Sequence, residues 1–83
     1  MTRLERNLLR LQYDQALNYA FGLVGLSCDE HQLALLVDAK QAKECQRNAQ
    51  RLGELAREAF SEADEINARL LQLEDAPAIY SHF

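Results

Sequence analysis

The feature that most constrains this chain is a seam of apolar residues spaced alternately by three and four. It reads Leu35, Asp38, Ala42, Cys45, Ala49, Leu52, Ala56, Ala59, Ala63, Ile66, Leu70 and Leu73, and only Asp38 is polar. A period of about 3.5 residues places every member on one stripe of an α-helix, the pattern of coiled-coil packing. No strand satisfies it, because side chains on a strand alternate with a period of two. The middle of the seam is nearly all Ala, which lets a facing helix approach closely. The sequence contains three Gly and one Pro, so breakers are few. β-branched residues are confined to Thr2, Val24, Val37, Ile66 and Ile79, which also argues against a sheet.

Upstream, residues 2–24 read as a first helix. Thr2 followed by Glu5 has the spacing of a capping box. Leu4, Leu8 and Leu11 mark one stripe, and Leu9, Ala16, Ala20 and Leu23 mark its neighbour. From Ala16 onward the helix is apolar nearly all round, so it is expected to be covered on more than one side. A turn is expected at residues 25–27. Gly25 suits a helix end, and Ser27 with Glu30 suits the start of a helix over residues 28–74. Weak points lie at Gly53 and at Ser61, where the second helix would break if it folds back. Residues 75–83, which include Pro77, Tyr80 and Phe83, read as a non-helical tail.

These lengths predict an all-α helical hairpin with one long heptad-bearing helix. A first helix of about 35 Å cannot cover a second of about 70 Å. The bare half of the seam then needs a second copy, giving a four-helix bundle. The alternative is a monomeric three-helix bundle. The single expected domain spans residues 1–83.

Composition narrows the function classes. The net charge is −4, with seven basic and six acidic residues in 1–53 and two basic against seven acidic in 54–83. An acidic balance disfavours non-specific nucleic-acid binding. No apolar run approaches the roughly 20 residues that span a bilayer. The start of the chain reads as an amphipathic helix, not a secretory leader. A cytoplasmic protein without membrane contact is the expectation.

No catalytic grouping is evident. There is no glycine-rich phosphate loop and no Ser/His/Asp set, so the chain is read as a non-enzyme without cofactor. Cys28, His31, Cys45 and His82 form a nominal zinc set, but Cys28 and Cys45 would lie about 25 Å apart on one helix. No metal is expected. Cys28 at a helix start would have an acidified thiol, whereas Cys45 on the seam would be inert. Lys40, Lys43, Arg47 and Arg51 form a basic stripe, the candidate surface for a polyanion. Glu44 interrupts it, and no aromatic residue accompanies it.

What remains is a protein-binding module that acts by occupying a partner protein's surface, as an inhibitor, anti-activator or chaperone does. The contact residues expected are Ala56, Ala59, Ala63, Ile66, Leu70 and Leu73 of the seam, Tyr13 as an exposed anchor, and Tyr80 and Phe83 of the tail. A homodimer is expected. The other readings are an accessory protein bound to nucleic acid through the basic stripe, and a structural subunit of a larger complex.

Overall fold

In the computed structural model, the backbone is described for residues 2–80 and the side chains for residues 2–73. Two helices make up the fold, α1 (Arg3–Ala34) and α2 (Ala39–Tyr80), packed as a hairpin, with no strand among the described residues. The hairpin and its all-α character follow the expectation from the seam. The turn does not.

Helix α1 runs straight through Gly25, Leu26 and Ser27 and ends ten residues after Val24, at Ala34. No glycine has a positive φ, so Gly25 is an ordinary helical residue and not a helix stop. The hydroxyl of Ser27 caps nothing. It donates across the hairpin to the carbonyl of Ala49, 2.9 Å away. That bond gives the serine a partner between helices, and the predicted turn at 25–27 is thereby lost. The real connection is residues 35–38. There the N–H groups of Leu35 and Leu36 bond to the carbonyls of Gln32 and Leu33, tightening the end of α1. Asp38 then caps α2, its Oδ1 accepting from the Gln41 N–H at 2.9 Å. The one polar break in the seam is thus the start of the second helix.

The start of α1 agrees with the capping expectation: the Thr2 hydroxyl oxygen accepts from the Glu5 N–H at 3.2 Å. Helix α2 passes through Gly53 and Ser61 without a break, so the chain does not fold back into a third helix. It also continues through Pro77 to Tyr80, where a non-helical tail was expected. Proline lacks an N–H, so it forfeits one ladder bond, to the carbonyl of residue 73. Only three helical residues follow it, so little of the helix depends on that bond.

Moving the turn changes the length argument. At 1.5 Å per residue the helices are about 48 and 63 Å long. The antiparallel register is fixed by Phe21 against Phe60 and by Ser27 against Ala49. Helix α1 therefore reaches far enough to cover α2 through Leu70, which is buried. The core is the seam itself. Ala20 and Leu23 of α1 meet Ala56 and Ala59 of α2, with Leu52 and Phe60 packed at the margin. Ala49 and Ala63 are each 1% exposed.

Candidate functional site

The seam expected to await a partner is filled from within the chain. Ala56, Ala59, Ala63 and Leu70 are buried, and Ile66 and Leu73 are half-buried. Their place as a bare docking stripe is overturned, because an α1 extended to Ala34 lies on them. Tyr13 is half-buried, so it is not the exposed anchor of α1. It sits four residues after Leu9 and three before Ala16, both also half-buried, on the side of α1 turned towards α2. Among the described residues the exposed aromatics are Tyr19 and Phe21, both in the stretch of α1 expected to be covered on more than one side. The side chains of Tyr80 and the whole of Phe83 lie outside the described residues, as does His82.

What α1 leaves uncovered is its other stripe. Helical spacing aligns Leu4, Leu8, Leu11, Gln15, Tyr19, Gly22, Leu26, Asp29 and Leu33, again in steps of three and four. All nine are exposed, and Leu4 is the most exposed of the leucines among them at 78%. Six of the nine are large and apolar. A helix with two apolar faces has one face on α2 and the other on solvent.

Among the described residues, two shallow grooves lie on the flanks of the hairpin. One, of about 340 Å³, lies between Val24, Cys28 and His31 of α1 and Gly53, Arg57 and Phe60 of α2. The rings of Phe21 and Phe60 meet edge to face on this flank, with centroids 5.3 Å apart. The other, of about 520 Å³, has mixed walls, with Gln12, Gln15 and Tyr19 facing Glu62, Glu65 and Arg69 over Ala16 and Ile66. At the tip of the connection Leu35 and Leu36 are 84% and 82% exposed.

The cysteines fall on different helices, Cys28 on α1 and Cys45 on α2, and both are free thiols. The expected separation along one helix is therefore wrong. Cys28 also lies inside α1, far from any helix start, so it is not the helix-start cysteine expected. Among the described residues no group of three or more His, Cys, Asp and Glu side chains gathers where a metal ion would be held. Cys45 is buried beside Glu30. Burial, then a hydrogen bond to the Glu30 carboxylate and the negative charges of Glu30 and Glu44, pushes its thiol above the ordinary value of 9.0. The other carboxylate oxygen of Glu30, Oε2, is buried with no hydrogen-bond partner.

Lys40, Lys43, Arg47 and Arg51 are all exposed, on the side of α2 away from α1. Glu54 and Glu58 follow, and then Glu62 and Glu65 at the edge that borders the larger groove, all exposed. The stripe is therefore half of a two-signed face. No described helix is long and apolar enough to cross a membrane. Neither a protein-family model, nor a curated protein, nor a solved structure matches this chain.

Proposed function

We propose that this chain is a non-catalytic protein-binding module that acts by occupying a partner protein's surface, in the manner of an inhibitor, anti-activator or chaperone. One observation carries the reading. The apolar stripe from Leu4 to Leu33 lies bare along nearly the whole length of α1. Large contiguous apolar patches are rare on proteins that work alone, and they mark sites of association. A helix face with anchors at three- and four-residue steps is recognised by other helices or by an apolar groove.

The test uses a photo-crosslinking amino acid placed in the full chain inside the cell. At Leu11, on the stripe, it is expected to give protein adducts. At Gln50, exposed on α2, it is expected to give few. Equal labelling at the two positions, or none at Leu11, removes the reading.

A second reading rests on the basic stripe, whose four cations are all exposed. As a polyanion site it requires binding to duplex DNA that weakens steeply with salt and is lost in a K43E/R47E variant. The four carboxylates beyond Arg51 act against it, since a nucleic acid following the helix runs from attraction into repulsion.

A further inference from the structure

We infer that the bare stripe of α1 is the contact surface for a second copy of this chain, packed α1 against α1 in antiparallel orientation. The inference rests on the reading of that face as a protein-binding surface, and it names the occupant.

The first ground is the symmetry of the stripe. A twofold interface pairs residue i with j and residue j with i. Folded about a point between Asn18 and Tyr19, the stripe maps Leu4 onto Leu33 and Leu11 onto Leu26. Gln15 falls on Gly22, where the absence of a side chain leaves room for the amide. The two copies of Tyr19 meet around the axis. Leu8 is the one leucine of the stripe that meets a polar residue, Asp29. A foreign helix would impose no such correspondence between the two ends of α1.

Charge fixes the orientation. The stripe itself carries one charge, Asp29, near its C-terminal end. Antiparallel packing keeps the two copies of Asp29 at opposite ends of the interface and opposes the helix dipoles favourably. Parallel packing sets Asp29 against Asp29.

The exposed area is of the right size. The chain exposes 6637 Å². A compact monomer of this mass exposes about 5,000 Å². The excess is about twice the roughly 800 Å² that each partner contributes to a standard protein interface, so the area suffices.

The experiment measures the mass of the purified full chain by sedimentation over a dilution series, with far-UV circular dichroism as the check on folding. The wild type is expected at twice the chain mass of 9.5 kDa. An L11D/L26D variant is expected to be helical and monomeric, because both side chains are exposed in the hairpin. Asp29→Leu, which supplies the missing apolar partner for Leu8, is expected to tighten the dimer by about tenfold or more. Orientation is read separately, in a Cys28→Ser background. L11C chains mixed with L26C chains should form the mixed disulfide faster than either forms its own.

A wild type that stays monomeric throughout, or a dimer indifferent to L11D/L26D and D29L, overturns the inference. So does preferential formation of the L11C homodimer, which reports parallel packing. A monomer in vitro that still gives foreign adducts from Leu11 in the cell leaves the binding reading intact and removes only the second copy. If L11D/L26D loses its helicity, the disulfide rates and the effect of D29L decide the matter.

Discussion

Two thiols on one hairpin differ in what surrounds them. Cys28 is exposed on α1, whereas Cys45 is buried in the seam with its proton held towards Glu30. The thiolate is the reacting species, so burial and neighbouring carboxylates slow Cys45 twice, by access and by acidity. With a disulfide reagent at pH 8, one thiol per chain is expected to react fast and the second only as the hairpin opens. Equal rates for the two would mean that α1 does not cover Cys45. The raised thiol also has a sign for stability. The folded state holds this proton more tightly than the unfolded chain. Its contribution is therefore complete below the ordinary value of 9.0 and lost as pH climbs above it. Unfolding measured above pH 9 should become easier in the wild type, and Cys45→Ala should flatten that dependence. Two turns before Cys45, Asp38 holds the first turn of α2 by one bond to Gln41. Asp38→Ala is expected to cost about 1 kcal/mol in denaturant unfolding. No loss would place the cap elsewhere.

At the scale of the element, the decisive question is where α1 stops. Gly25 is helical, and a Cβ built on it meets nothing within 4 Å. Gly25→Ala should therefore stabilise the chain by about 0.5–1 kcal/mol, because alanine loses less backbone freedom in a helix. At a left-handed helix stop the same change would destabilise, so the sign of the measured shift distinguishes the two arrangements. Gly53 has equal room, and Gly53→Ala should act in the same direction.

The misplaced turn shows what local pattern does and does not determine. Ser27 followed by Glu30 is a capping box wherever a helix starts there, and an ordinary pair wherever a helix runs through. The choice is made by the carbonyl of Ala49, 22 residues away, which accepts the serine hydroxyl. Asp38 stood out as the one polar member of the seam, but the spacing alone gave no reason to read it as a boundary. The seam itself was legible, since steps of three and four leave no other packing for Ala49, Ala56, Ala59 and Ala63. Its partner was not. The two stripes of α1 look alike in sequence, and only the register of the hairpin decides that Ala20 and Leu23 are covered while Leu4, Leu11 and Leu26 are bare.

The whole molecule is long and thin, 64 × 23 × 14 Å, with a radius of gyration of 18.8 Å. A compact domain of this length has a radius of about 12 Å. Among the described residues, five of the eight buried hydrophobic ones are alanines, Ala20, Ala49, Ala56, Ala59 and Ala63, each of which buries little more than a methyl group. Such a core contributes little area per residue, and the entropy of ordering a long two-helix chain opposes it at every position. Small scaffolds in this position gain stability by assembly. Association that occurs only in the folded state stabilises it by mass action, which makes the melting temperature depend on concentration. A tenfold rise in chain concentration is expected to raise the melting temperature by roughly 3–5 °C. The L11D/L26D chain, with its stripe blocked, should melt at one temperature whatever its concentration. If the wild type does so as well, the hairpin supports itself alone, and the closely fitted alanine seam must supply more stability than its area implies.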